Sequence, residues 1–120
     1  MFANDVILGA TLGLKKAVLQ EIDDKIHAFR ARRAHLPKGK SMGCVFKNPT
    51  GYFAGTLIEN SGLKGLRIGG AVVSSEHANF IINDQGAKSS DVKRLIETVK
   101  NAVFAQYKIR LEEEIRYINR

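Results

Sequence analysis

The chain has 120 residues, of which 44% are hydrophobic and 26% are charged, and its formal net charge is +7. This length fits one domain with its own hydrophobic core, and the composition is ordinary for a globular protein. No apolar run approaches the roughly 20 residues that cross a bilayer, and the first residues lack the pattern of a secretory signal. The single cysteine, Cys44, excludes an internal disulfide and favours a reducing cytoplasm.

The basic excess favours an anionic partner. The positive charge is dense only at Arg30, Arg32 and Arg33, with Lys38 and Lys40 just beyond. No aromatic pairs that could stack on bases are interleaved with these cations. A solvated helix face is the better interpretation of this cluster, and nucleic-acid binding remains as the weaker alternative.

Hydrophobic periodicity and turn residues divide the chain into strands and helices. Strands are predicted over residues 6–12, 43–47, 66–74, 78–83 and 109–118. Helices are predicted over residues 15–33 and 52–61, and a long helix is predicted to follow one of the N-cap candidates Ser89, Ser90 and Asp91 and to end at about residue 107. This order predicts an α+β fold, with a small mixed sheet packed against helices and no internal repeat.

Two of these elements carry further information. A strand as early as residues 6–12 is unusual for an independent domain, and it indicates that a preceding domain ends there. Within residues 66–74 the pair Gly69-Gly70 indicates a bulge or a close approach of another backbone segment.

The last predicted strand divides three consecutive glutamates between its two faces. Glu112 and Glu114 share the polar face with Arg110 and Arg116, which favours the ionised form of both carboxylates. Glu113 belongs to the opposite, mainly apolar face. An exposed strand with cross-strand ion pairs is the simpler interpretation of this segment taken alone.

Cys44 admits two interpretations. A lone cysteine is usually a small buried apolar residue, but its thiol can also act as a proton donor or nucleophile. His77 has no fixed spacing to Cys44 that would indicate a cysteine hydrolase. Lys64 and Arg67 could meet a diphosphate, although the surrounding glycines do not match a dinucleotide-binding or P-loop pattern. The sequence contains no metal-ligand spacing.

Four segments together resemble the UDP-N-acetylenolpyruvylglucosamine reductase family. Residues 41–49, Ser-Met-Gly-Cys-Val-Phe-Lys-Asn-Pro, are similar to the family's Ser-Ala-Gly-Ser-x-Phe-Lys-Asn-Pro. Residues 54–59, 62–71 and 74–80 are similar to segments that follow in the same order. The resemblance runs over about residues 6–118, and such an ordered series is more specific than any single motif.

The resemblance implies a reaction and a set of site residues. Members of this family reduce UDP-N-acetylglucosamine enolpyruvate with FAD and NADPH in peptidoglycan synthesis. Cys44 occupies the position of the family's proton-donating serine, and Glu114 that of its assisting glutamate. Asn48, in the Lys47-Asn48-Pro49 motif, corresponds to a substrate-contacting asparagine. The substrate-binding residues implied are therefore Asn48 and Lys47, with Lys64 and Arg67 added for the diphosphate.

Two departures from the family pattern concern the site itself. A thiol in place of a hydroxyl keeps a protic group and makes it a stronger acid. Glu113 stands where the family's Leu-Glu-Pro-Glu-Val-Arg has proline. We expect Cys44 and Glu114 nevertheless to converge on a single sugar-nucleotide pocket.

The resemblance also implies a domain organisation. Residues 1–13 are expected to be the last strand of a flavin-binding region, and residues 14–120 the substrate-binding C-terminal domain of the family's shorter class. The partners expected are UDP-N-acetylglucosamine enolpyruvate and an N-terminal FAD-binding domain, with no nucleic acid and no membrane. The chain alone is expected to hold no FAD and not to turn over. A free-standing UDP-sugar-binding module is the alternative from another function class.

Overall fold

The computed structural model describes residues 6–118 and divides the chain into two units, Met1–Ala34 and His35–Arg120. The first unit contains one helix, α1 (Leu19–Arg33), in which no residue is buried. Ile22 and Ile26 of the predicted apolar stripe remain 41% and 40% exposed. The predicted helix is confirmed, although it begins at Leu19 and not at Lys15.

The buried strand predicted over residues 6–12 is wrong for this structure. These residues adopt no regular secondary structure and are all exposed. A strand needs a neighbouring strand to satisfy its backbone hydrogen bonds, and the described part of the first unit offers none. The assignment of residues 1–13 to a flavin-binding region stays a prediction, and residues 1–5 lie outside the described residues.

The second unit contains a sheet of four strands and two helices. In chain order the elements are β1 (Lys40–Cys44), α2 (Ala54–Asn60), β2 (Arg67–Ile68), β3 (Ala71–Val73), β4 (Phe80–Asn83) and α3 (Ser89–Tyr107). The strand order is β1-β4-β3-β2, and the pairings within the sheet are antiparallel. The α+β class expected from the sequence is confirmed.

Helix α3 supplies much of the core of this unit. Its apolar positions recur at spacings of three and four, so that Leu95, Ile96, Val99 and Val103 are 1% exposed or less. These side chains pack in one cluster with buried residues of the sheet and of α2. The Asp91 carboxylate accepts a hydrogen bond from the Lys88 backbone N–H at 3.0 Å and thereby satisfies a donor at the start of the helix.

The single strand predicted over residues 66–74 is wrong, because Gly69 and Gly70 form the turn between β2 and β3. Gly69 has a φ of +56°, which L side chains rarely adopt. Gly70 lies against backbone atoms of Gln85 and Ala87, and a Cβ there would be 2.5 Å from the Ala87 nitrogen. The alternative of a close backbone approach therefore applies to Gly70, but within a turn and not within a strand.

The last predicted strand, residues 109–118, is reduced to a single bridge between Phe46 and Glu113. Backbone hydrogen bonds flank this bridge, from Lys47 N–H to Glu112 O at 2.9 Å and from Glu114 N–H to Val45 O at 2.8 Å. The predicted alternation persists, since residues 109, 111, 113 and 115 are more buried than residues 110, 112 and 114. The single bridge to Phe46 is thus enough to determine which side chains of this segment face the core, although no further strand pairing forms.

Gly70→Ala should destabilise the second unit because the new methyl group meets rigid backbone. We expect a loss of about 1–3 kcal/mol or more in the free energy of unfolding, as is typical of overpacking. Denaturant unfolding measures it. Gly13→Ala is the matched control, since its Cβ would meet nothing within 4 Å. Equal unfolding curves for the two variants would contradict the close approach at Gly70.

Candidate functional site

A cleft of about 380 Å³ opens in the second unit, where the end of β1, the start of α2 and the loop before β4 meet. Its walls include Cys44, Asn48, His77, Asn79 and Glu114. Two residues that are distant in sequence, Cys44 and Glu114, therefore share one concave surface. The cleft is open to solvent, as a site for a soluble ligand requires.

Asn79 fixes the backbone that follows Cys44. Its carbonyl oxygen accepts from the Val45 N–H at 2.9 Å, and its side-chain oxygen accepts from the Phe46 N–H at 2.9 Å. Its side-chain nitrogen donates to the Phe46 carbonyl at 2.8 Å. Because the Asn79 side chain is buried, water competes little for these bonds. The position of Cys44 on the cleft wall follows from this attachment.

Glu114 reaches the cleft through the bridge at Phe46. Its N–H donates to the Val45 carbonyl, only one residue beyond Cys44. The alternation along residues 112–114 turns the side chain of Glu114 away from the core, and Glu114 is exposed on the cleft wall. The same backbone segment that Asn79 attaches thus also positions this carboxylate.

The surroundings of Cys44 change the pKa of its thiol. Partial burial raises the pKa of the thiol above its ordinary value, and the nearby Glu114 carboxylate raises it further. The side chain is exposed at the cleft wall, yet the surrounding protein removes part of its water. Both causes disfavour the thiolate, so Cys44 carries its proton at neutral pH.

Asn48 has a structural contact besides its place in the cleft. Its side-chain oxygen accepts from the Ala54 N–H at 3.0 Å and so satisfies a donor in the first turn of α2. In the described part of the chain, the Asn48 side-chain nitrogen has no partner among the hydrogen bonds formed. That nitrogen is available as a donor to a ligand.

The three predicted cationic contacts do not line the cleft. Lys47 forms an ion pair with Glu112, and Arg67 forms one with Asp84 at 2.6 Å. Lys64 pairs at 2.6 Å with Glu59, whose side chain does belong to the cleft wall. The structure therefore brings Cys44, Asn48 and Glu114 together in the cleft. Lys64 does not line the cleft but is paired with Glu59, which does. Lys47 and Arg67 lie outside it.

Sequence reasoning gave no role to His77. The imidazole Nδ1 accepts from the Asn79 N–H at 3.2 Å, which places the proton of the neutral ring on Nε2. The ring lies 4.8 Å from that of Phe80, and a Cβ on Gly55 would come 3.2 Å from its Cε1. Gly55 in the first turn of α2, within a segment that resembles the family, was the available signal for this packing.

The charge of the cleft wall is acidic. Glu59, Glu76 and Glu114 line it, and no lysine or arginine of residues 6–118 does. The described residues contain no cluster of potential ligands that could hold a metal ion. Among the helices described, none has the length and apolar character to cross a membrane.

The fold and the cleft define an α+β domain that presents a protonated thiol and a carboxylate on one concave surface. Residues 34–118 match the sequence model of the UDP-N-acetylenolpyruvoylglucosamine reductase C-terminal domain. The chain belongs to this family, as its resemblance indicated.

Curated relatives and a solved structure agree with this assignment. Reductases of this name from Lactiplantibacillus plantarum and Alkaliphilus oremlandii are 42% and 43% identical, over 96% and 94% of this chain. The chain spans only 39% and 38% of those proteins. The crystal structure of the reductase from Thermus caldophilus is 42% identical, with a TM-score of 0.67, over 85% of this chain and 37% of that one.

Glu114→Gln should lower the pKa of the Cys44 thiol, because it removes the negative charge that disfavours the thiolate. Below the pKa a larger thiolate fraction means faster alkylation. The pH dependence of the iodoacetamide reaction measures this change, and it reports on Cys44 alone because the chain has no other cysteine.

Glu112→Gln is the matched control for Glu114→Gln. It removes the same charge two positions earlier, from a carboxylate that is paired with Lys47 and lies outside the cleft. The control should leave the alkylation profile near that of the unaltered chain. Equal displacement of the profile by both variants would show that the effect is not specific to Glu114.

Proposed function

We propose that this chain provides the substrate-binding and proton-donating part of a reductase that converts UDP-N-acetylglucosamine enolpyruvate to UDP-N-acetylmuramate in peptidoglycan synthesis. Family membership supports this substrate. The observation that carries the proposal is the placement of the Cys44 thiol and the Glu114 carboxylate in one cleft. The single free thiol is compatible with the reducing cytoplasm.

The chemistry of the proposed reaction requires a proton donor. Reduction of the enolpyruvyl double bond at its terminal carbon leaves carbanion character beside the substrate carboxylate. The carbon that bears the carboxylate, and not the terminal carbon, must then receive a proton. Cys44 is protonated at neutral pH, as a general acid must be. A thiol is also more acidic than the serine hydroxyl that it replaces, so loss of its proton costs less.

Glu114 acts on this donor through charge. A carboxylate beside sulfur favours the thiol over the thiolate, and therefore keeps the donor in its protonated form between turnovers. Removal of the carboxylate would lower the pKa of the thiol and make the thiolate easier to form, although burial would still favour the thiol. In this proposal Cys44 is the general acid, and the charge of Glu114 favours its protonated form.

The cleft suits one end of the substrate better than the other. Its three glutamates repel the doubly charged diphosphate more than the single carboxylate of the enolpyruvyl group, so we assign it to the enolpyruvyl sugar. Asn48 can donate from its side-chain nitrogen to an oxygen of that sugar. Lys64, held at the cleft by Glu59, is the cation best placed to meet the diphosphate. Lys47 and Arg67 would have to leave their ion pairs with Glu112 and Asp84 to do so.

FAD and NADPH enter this proposal only as cofactors of the complete reductase. The acidic cleft of this chain does not fit FAD. The acidic cleft would repel its diphosphate, and no cation lines the wall in the described part of the chain. None of the steps assigned to Cys44, Glu114 or Asn48 depends on cofactor binding by this chain.

A chimera tests the proposal, with this chain in place of the C-terminal domain of the Lactiplantibacillus plantarum relative. Cys44→Ala should slow reoxidation of the reduced flavin by substrate about 10²–10⁴-fold, the usual contribution of a general acid. Reduction of the flavin by NADPH should be nearly unchanged. Stopped-flow absorbance measures the two half-reactions separately.

Cys44→Ser is the control, because it restores a protic group at the same position and should retain most of the rate. Equal slowing of both half-reactions by Cys44→Ala would remove Cys44 from the proton-donor role. A chimera that binds UDP-N-acetylglucosamine enolpyruvate but never reduces it would instead favour the UDP-sugar-binding module. If the chain bound a DNA duplex more tightly than UDP-N-acetylglucosamine enolpyruvate at physiological salt, the nucleic-acid alternative would be favoured.

A further inference from the structure

We propose that Glu113 and Lys100 form an anchor that positions Glu114 at the cleft. Glu113 is thus a positioning residue, which acts on the thiol only through its neighbour. The catalytic meaning of the anchor rests on the proposed function, whereas the anchor itself is a claim about the geometry of this chain. It concerns a residue at which the chain departs from the family's proline.

Both oxygens of the Glu113 carboxylate are engaged. Oε1 accepts from Lys100 Nζ of α3 at 2.9 Å, and Oε2 accepts from the Tyr117 hydroxyl. Lys100 also donates to Glu97 one turn earlier on the same helix, at 3.0 Å. The Glu113 side chain is only 18% exposed. The ion pair of Glu113 with Lys100 is thus partly buried and supported by a second hydrogen bond, from Tyr117. It differs in this from the exposed ion pairs that contribute little to stability.

The anchor can act on Glu114 because consecutive residues of an extended segment face opposite ways. Glu113 lies opposite Phe46 in the bridge and reaches α3, so Glu114 must face the cleft. The backbone bonds at Val45 and Lys47 hold the segment in register. Leu111 and Ile115 turn the same face toward the core, and the bond between Glu113 and α3 adds the polar contact that holds this face inward at residue 113.

Both charged members of the anchor are held in their ionised forms by their contacts. The hydrogen bond to Glu113, followed by that to Glu97, raises the pKa of Lys100. Partial burial opposes ionisation of Glu113, but hydrogen bonds from Tyr117 and Lys100 outweigh it and lower the pKa of the carboxyl. Partial burial is the larger cause that raises the pKa of Tyr117 to about 12, and the hydrogen bond to Glu113 is the second. The anchor is therefore intact near neutral pH, where the alkylation rates of the variants are compared.

Lys100→Met gives a test in which the loss of positioning and the loss of a positive charge shift the pKa of the Cys44 thiol in opposite directions. Loss of a nearby cation would by itself raise the pKa of the Cys44 thiol. Loss of the anchor would release the Glu114 carboxylate from the thiol and lower that pKa. We expect the second result, with faster iodoacetamide alkylation of Cys44 that reproduces most of the increase caused by Glu114→Gln.

Three variants separate the anchor from a general loss of structure. Lys100→Arg should restore the original alkylation profile, since it keeps the cation. Tyr117→Phe, which removes only a hydroxyl group, should displace the profile in the same direction as Lys100→Met but less. In a Glu114→Gln background Lys100→Met should have no further effect. The other titratable groups of the cleft, Glu59, Glu76 and His77, are the same in every variant.

A rise or no change in the thiol pKa of folded Lys100→Met would overturn the anchor, and so would an undiminished effect in the Glu114→Gln background. If circular dichroism shows that Lys100→Met does not fold, Tyr117→Phe decides the question by the same criterion. Because this assay uses neither flavin nor nucleotide, the anchor can fail while the reductase proposal stands. The converse also holds.

Discussion

The site depends on one buried interaction, the pair of hydrogen bonds between the Asn79 side chain and the backbone of Phe46. The side chain satisfies both the N–H and the carbonyl of a residue that is 2% exposed. Loss of such an amide would leave buried backbone groups unpaired, at a cost of about 1–3 kcal/mol each. Phe46 in turn is the bridge partner of Glu113. The positions of Cys44 before it and of Glu114 across from it both follow from that attachment.

The distribution of charge follows a related constraint. Carboxylates gather at the cleft, while the cations beside it are engaged with acidic partners, Lys64 with Glu59 and Lys47 with Glu112. The chain is basic overall, but its densest positive cluster lies on α1, where no residue is buried. The net charge of the chain therefore gave no information about the site, whose wall is acidic. An acidic wall around a thiol maintains a proton donor, which a basic wall would tend to ionise.

Sequence alone predicted the elements whose periodicity is long and regular. Helix α3 ends at Tyr107 as predicted, because its apolar stripe is long and regular, but its N-cap is Lys88 and none of the candidates Ser89, Ser90 and Asp91. The short elements were less certain: Gly69 and Gly70 break an apolar run into two strands, and residues 6–12 have the composition of a strand without a partner. The pairing of Cys44 with Glu114 came from family resemblance, since no local pattern links residues so far apart. His77 was missed because its packing against Gly55 arises only after folding.

The replacement of proline by Glu113 is physically consistent with an unchanged backbone. The bonds that flank the bridge use the carbonyl of Glu112 and the N–H of Glu114, so the N–H of residue 113 is not part of that pattern. A proline there would remove no hydrogen bond from it, and its ring would restrict the segment through φ. Glu113 lacks that restriction, but its carboxylate ties the same residue to Lys100. Restriction by a ring and attachment by an ion pair are two ways to limit the same freedom, and either leaves Glu114 directed at the cleft. The residue that departs from the family's proline thus supplies the contact that orients Glu114.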